Sequence, residues 1–174
     1  CRFCGYEAKA PSTCPSCGGV SVLFKAGGTE RLHLELEERL PQCRILRADA
    51  STKNAFANIR SFGQPGDVLV GTTMILDRTD FSNVRLACIA SLDGVMSMPV
   101  FSASHKAYSL VAILAGKLSS GRVLLQTYMP HHPLIKSLVS SDASTFLMQE
   151  LEDREESFYP PFSQVLWWIV TSKE

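Results

Sequence analysis

"GDVLVGTTMILDRTDFSNVRLACIASLDG", residues 66–94, contains two short apolar runs, "DVLVGTTM" from Asp67 and "VRLACIASLDG" from Val84. Both are of the kind that is buried on both faces of a parallel sheet. Upstream, "CRILRADA" (43–50) reads as a strand, and Thr52 to Phe62 as a helix that turns Ala55, Phe56, Ile59 and Phe62 inward and stops at Gly63. Further back, "TERLHLELEERL" (29–40) is a helix capped by Thr29, with Leu32, Leu36 and Leu40 as its buried stripe and Pro41 at its end. Downstream, Phe101–Leu118 reads as a long central helix and Arg122–Tyr128 as a strand, followed by helices at Leu134–Val139 and Ala143–Glu156. Strands and helices that alternate across short links predict an α/β layer fold with a mainly parallel sheet flanked by helices.

The 174 residues suffice for one ordinary domain and a small appendage, and 45% hydrophobic content builds a real core. Seventeen basic residues balance seventeen acidic ones. No strong field therefore draws the chain to nucleic acid or to an anionic membrane, and DNA affinity must rest on a local patch. The uncharged run Ala107–Gly116 is far too short to span a bilayer, and the N-terminus carries no export signal. The expectation is a cytoplasmic protein with no membrane partner.

Cys1, Cys4, Cys14 and Cys17 form CxxC-x9-CxxC, with Gly5 after the first pair and Gly18-Gly19 after the second. In a zinc knuckle the CxxC turn aims both sulfurs at one ion, and the following glycine lets backbone N–H groups approach the thiolates. The competing readings are two reducible disulfides or a redox-active pair. Neither pair sits between a strand and a helix start, where a redox pair belongs, so zinc is favoured. Cys43 and Cys88 read as small core fillers. Asp49 and Asp93 each follow a predicted strand at its C-terminal end, where ligands gather in open α/β sheets, but capping the next turn is the commoner role there. His132 before Pro133 reads as a turn residue and His131 as a solvated one. "YPPF" (159–162) breaks the last helix, and the segment from Ser163, with Trp167 and Trp168 adjacent, reads as the β-rich start of a further domain.

The order of these segments resembles a known family. "CPSCG" (14–18), "GGTERL" (27–32), "ILRADAST" (45–52), "GTTMILDRTDF" (71–81), "LDG" (92–94), "VLLQTYMPHHPLI" (123–135) and "YPPFS" (159–163) are similar, in sequence and spacing, to the C-terminal half of the primosomal protein N′ (PriA) replication-restart helicases. The resemblance implies a cysteine-rich zinc module at residues 1–25, the second RecA-like helicase lobe at 26–157, and the start of a C-terminal DNA-binding domain at 158–174. The family has four CxxC pairs on two zinc ions. Cys1–Cys4 would be the third pair and Cys14–Cys17 the fourth, each sharing its ion with a pair upstream of residue 1, although the two pairs can also close on one tetrahedral ion. Implied partners are branched or single-stranded DNA, other replication-restart proteins and single-stranded DNA-binding protein.

The resemblance also implies ATP, and here the motifs have drifted. Neither a phosphate-binding GxxxxGK[ST] loop nor a DExH magnesium site occurs in the chain. Residues 113–121, "ILAGKLSSG", align with a motif resembling QVAGRAGRG, keeping Ala115, Gly116 and Gly121 but carrying Lys117 and Ser120 at the arginine positions and Ile113 at the glutamine. Gly116 and Lys117 are what remains of the nucleotide side, and lysine does not replace a bidentate guanidinium. Residues 71–81 align with GTQMIAKGHDF, keeping Gly71, Thr72, Met74, Ile75, Asp80 and Phe81 but carrying Asp77, Arg78 and Thr79 at its lysine-glycine-histidine core. Three functional readings follow. The first is a DNA-binding component of replication restart without ATP turnover of its own, using a basic set such as Arg2, Lys9 and Lys25. The others are a fragment of an active 3′-to-5′ helicase and a zinc-ribbon protein-interaction module with no DNA role.

Overall fold

The computed structural model describes residues 28–166 together with Thr13, Gly18 and Trp168. The predicted β-like stretch Val20–Lys25, the zinc cysteines Cys1, Cys4, Cys14 and Cys17, the cations Arg2, Lys9 and Lys25, and Trp167 lie outside the described residues. The elements run α1 (Thr29–Arg39), β1 (Arg44–Ala48), α2 (Ala55–Ser61), β2 (Asp67–Gly71), a 3-10 turn (Thr73–Ile75), β3 (Leu86–Ile89), α3 (Asp93–Met96), α4 (Ala103–Lys117), β4 (Arg122–Leu125), α5 (Pro133–Ser140) and α6 (Ala143–Glu156). The chain is mixed α/β with parallel pairing, as its alternation predicts.

The sheet is not continuous. Among the described residues β1 pairs with β2 from Arg44↔Asp67 to Ala48↔Gly71, and β3 pairs with β4 from Leu86↔Arg122 to Ile89↔Leu125, with no ladder joining the two pairs. Apolar packing by the connecting segment links them instead. Met74 and Ile75 pack against the buried Ala48, Ala55 and Ile59. A few residues on, Leu76 and Val84 pack against the buried Phe81, Ala87 and Leu114. The largest cluster gathers Leu92, Ala107, Val111, Leu134, Ile135 and Phe146, with the Phe146 ring stacked on Tyr108 at 4.8 Å between centroids.

Several local expectations are corrected. Thr29 is the first helical residue of α1 and not its cap; Gly28 stands at the cap position without a side-chain bond, and the Thr29 hydroxyl donates to Asp49 instead. Leu32, Leu36 and Leu40 are only half-buried, because a two-stranded sheet is too narrow to cover the whole stripe. In α2, Ala55 and Ile59 are buried, but Phe56 is exposed, with the Arg78 guanidinium 4.8 Å above its ring. Gly63, with φ of 129°, follows the helix end as predicted. The pair β3–β4 is buried on one face only: Ala87, Ile89, Val123 and Leu125 turn toward the helices, while Leu86, Leu124 and Cys88 are exposed. Cys88 is therefore not a core filler, since helices cover this pair from one side. Strand β4 ends three residues early because Thr127 and Tyr128 turn to bond Asp93. Residues 164–166 after the "YPPF" turn are irregular. Among the described residues no helix is long and apolar enough to cross a membrane.

The register of β1 on β2 is fixed by a fork-to-fork ion pair at its first rung. Arg44 donates through Nε to Asp67 Oδ1 at 2.8 Å and through Nη2 to Oδ2 at 2.6 Å. Oδ2 also accepts from the backbone N–H groups of Gly63 and Gln64 at 3.0 and 2.9 Å. Hydrogen bonding from Arg44, backed by these amides against the cost of burial, moves the Asp67 carboxyl from the ordinary 3.8 to about 2. A depressed carboxyl pKa stabilises the fold above the unfolded value and is lost as pH falls through the folded one. Stability should therefore drop as pH is lowered from about 4 to about 2. In denaturant titrations across that range, Asp67→Asn should be weaker than wild type at neutral pH and lose less on acidification. Parallel acid limbs for the two proteins would contradict this.

Candidate functional site

The C-terminal ends of β1 and β2 form the polar rim of the first sheet. Asp49, directly after β1, is buried and accepts from Arg47 Nε at 2.7 Å, the Ser51 N–H at 2.7 Å, Ser51 Oγ at 2.6 Å and Thr52 Oγ1 at 3.1 Å, besides the Thr29 hydroxyl. The Arg47 hydrogen bond, ahead of the hydroxyl and amide donors, holds its carboxyl far below the usual carboxylate range despite burial. Asp49 caps the turn into α2, and every neighbour it has is structural. Next along the rim, Gly71 is sterically required: a Cβ there would stand 2.6 Å from both the Ala48 carbonyl oxygen and Ile75 Cγ2.

Beyond Gly71, the turn carrying Thr73 and Asp77 faces His105, Lys106 and Ile113 of α4 across an open groove of about 610 Å³. This groove joins the two drifted motif stretches, because 73–77 belongs to the first and Ile113 opens the second. Met74, Ile75 and Phe81 pack into cores, and Asp80 accepts from the Ser82 N–H at 2.9 Å. Of the altered core, Asp77 is exposed in the groove, Arg78 lies on Phe56, and the Thr79 hydroxyl is buried without a partner among the described residues. His105 and Lys106 were missed by the sequence reading; a basic pair in the second turn of the helix expected from Phe101 was the available signal.

Gly116 and Lys117 lie at the exposed C-terminal end of α4, outside the groove lining. Nothing stands within 4 Å of a Cβ on Gly116. Lys117 is a cation in the last turn, where the helix dipole favours one. Together they present one point charge and an open backbone edge at a helix end that exposes carbonyls, so they do not by themselves make a nucleotide cradle. Gly121 serves the fold: its Cβ would stand 2.6 Å from the Val84 carbonyl oxygen, where β4 enters alongside β3.

The remaining candidates are structural. Asp93 caps the loop after β4, accepting from Thr127 Oγ1 at 2.8 Å and the Tyr128 N–H at 3.1 Å, and so joins the ends of the second strand pair. His132 caps α5, its Nδ1 accepting from the Leu134 N–H at 3.2 Å with Pro133 in the first turn, and His131 is exposed, both as read from sequence. Among the described residues no three His, Cys, Asp or Glu side chains gather as a metal site.

This is a parallel α/β lobe whose strand-end crevice carries family-type motif stretches but no phosphate loop. Three relatives are similar over nearly the whole chain, each named replication restart protein PriA. That of Bacillus subtilis is 34% identical over 183 residues, 100% of this chain and 23% of its own length. That of Chlamydia pneumoniae is 34% identical, covering 99% of this chain and 25% of the relative, and that of Thermotoga maritima is 31% identical, covering 99% and 24%. The chain belongs to the PriA family. It spans about a quarter of the length of the curated relatives it matches. No family model matches the chain.

The glycines of the drifted motif separate fold from site. Gly121→Ala should cost about 2 kcal/mol, since backbone must move to admit the methyl. Gly116→Ala, in an open helical position, should instead stabilise by up to about 1 kcal/mol. Urea melts of the two variants measure both, and equal destabilisation would show that Gly116 is packed.

Proposed function

We propose that the chain is the second RecA-like lobe of a replication-restart protein, a cytoplasmic scaffold that binds branched or single-stranded DNA and does not turn over ATP by itself. The supporting observation is how the motif residues divide. Of the residues that match the family, Gly71, Met74, Ile75, Phe81 and Gly121 pack and shape the lobe, while Thr72, Asp80, Ala115 and Gly116 are exposed. Ile113, Lys117, Ser120 and Asp77, which differ, are exposed. The packing residues Gly71, Met74, Ile75, Phe81 and Gly121 are kept while both arginine positions are changed, to Lys117 and Ser120, which favours a lobe held for its shape over one held for phosphate chemistry. Charge on the γ-phosphate is stabilised by rigidly placed cations, and positioning must come from a phosphate loop that this sequence lacks. Other replication-restart proteins and single-stranded DNA-binding protein are the protein partners this reading carries.

The test is a titration of fluorescent forked and single-stranded DNA over a range of salt, with ATP hydrolysis followed in the same samples. With zero net charge the footprint is small, so the log–log salt slope should be only about two to four. Arg2, Lys9 and Lys25 are the proposed contacts, and their joint replacement by alanine should lower affinity. No binding at low salt would leave the interaction-module reading in its place. ATP turnover by the Lys117→Arg, Ser120→Arg double variant of this chain would overturn the inert-lobe reading.

Cys1, Cys4, Cys14 and Cys17 are proposed to hold zinc through sulfur alone, because no histidine lies within ligand spacing of either pair. Elemental analysis of purified protein should find zinc, and a Cys14→Ser, Cys17→Ser variant should lose it. Four freely titrating thiols with no metal would show that further cysteine pairs are needed.

A further inference from the structure

The outward face of α6 carries a row of exposed apolar side chains. Phe146 turns inward, 6% exposed, into the main core. A surface helix normally presents polar residues opposite such an anchor. Here Leu147, Met148 and Leu151, which share one face at helical spacing, are 41%, 64% and 44% exposed. The helix is thus apolar on two opposite sides, and only one of them is covered within the described chain.

The charges beside this face that are left unpaired among the described residues are of one sign. Glu152 and Glu155 stand next to Leu151 and Met148 on the same side of the helix, both exposed. Arg154 is the only cation of α6, and it is engaged elsewhere: it donates to Glu150 at 2.8 Å and lies 5.3 Å over the Phe101 ring. Among the described residues no cation pairs with Glu152 or Glu155. A methionine between two leucines provides an adaptable surface, and an acidic edge selects against acidic partners.

We propose that the Leu147–Met148–Leu151 face of α6, edged by Glu152 and Glu155, docks a basic amphipathic helix of a partner protein, its apolar residues on this stripe and its lysines or arginines against the carboxylates. The mode is helix against helix, with side-chain anchors at three- and four-residue spacing. The patch is small, so the affinity should be modest, with Kd on the order of 10 μM.

The probe is a fluorescent synthetic helical peptide with leucines on one face and lysines on the other, titrated against the full 174-residue chain. A control peptide carries glutamate in place of every lysine. The lysine peptide should bind saturably and more weakly as salt rises, and the glutamate peptide should not bind. Met148→Glu should weaken binding about tenfold, and Glu152→Lys with Glu155→Lys several-fold, with unchanged circular dichroism. Leu34→Glu, at an equally exposed apolar position on α1, should leave it unaltered. The proposal fails if the lysine peptide does not saturate, if both peptides bind alike, or if Leu34→Glu weakens binding as much as Met148→Glu. It also fails if sedimentation shows a dimer that Met148→Glu dissolves, since a second copy would then be the occupant.

Discussion

A single buried carboxylate organises the first half of the lobe. Asp49 sits at the end of β1, and a charge taken out of water survives only if it is paired and its lone pairs are filled. Arg47, Ser51, Thr52 and Thr29 fill them. Those donors come from β1 itself, from the turn into α2 and from the start of α1, so one oxygen pair ties three elements together. The stretches "GGTERL" and "ADAST", some twenty residues apart in sequence, are therefore one hydrogen-bonded unit. Removing the carboxylate would leave the half-buried Arg47 and the donors of Ser51, Thr52 and Thr29 without their shared acceptor, which is the costly direction for such a pair.

The same logic recurs at the other strand pair. Asp93 bonds Thr127 and the Tyr128 backbone, and His132 closes the start of α5. In open α/β sheets the crevice at the C-terminal strand ends is where ligands usually bind. Here its conspicuous polar residues are already spent on caps and turns. Among the described residues the groups left free along the groove are the oppositely charged Asp77 and Lys106 beside His105, all exposed, which suits contact with a facing surface better than a self-contained reaction.

How much of this was legible in the sequence depended on range. The helices α4 to α6 were read to within two residues, because apolar periodicity is a local signal. The four strands were found for the same reason. Their faces were misjudged: an apolar run such as "LACI" carries no information on whether one side or both will be covered, and that decided the fate of Cys88 and Leu86. The split of the sheet and the early end of β4 are also tertiary, since Asp93 takes the Tyr128 amide from thirty-five residues away. Of the site, the motif residues were identified one by one, but their meeting across the groove at Ile113 was not, because it depends on how α4 lies against the 73–77 turn.

The three glycines of the motif stretches show why retention and function must be argued separately. Gly71 and Gly121 face carbonyl oxygens of this same chain at distances no side chain tolerates, so their presence follows from the fold alone. Gly116 faces nothing, and as a helical residue it costs stability relative to alanine. A residue that weakens its own helix without relieving any contact among the described residues has no explanation in their packing. The retention of Gly116 therefore cannot be credited to packing among the described residues, whereas that of Gly71 and Gly121 can.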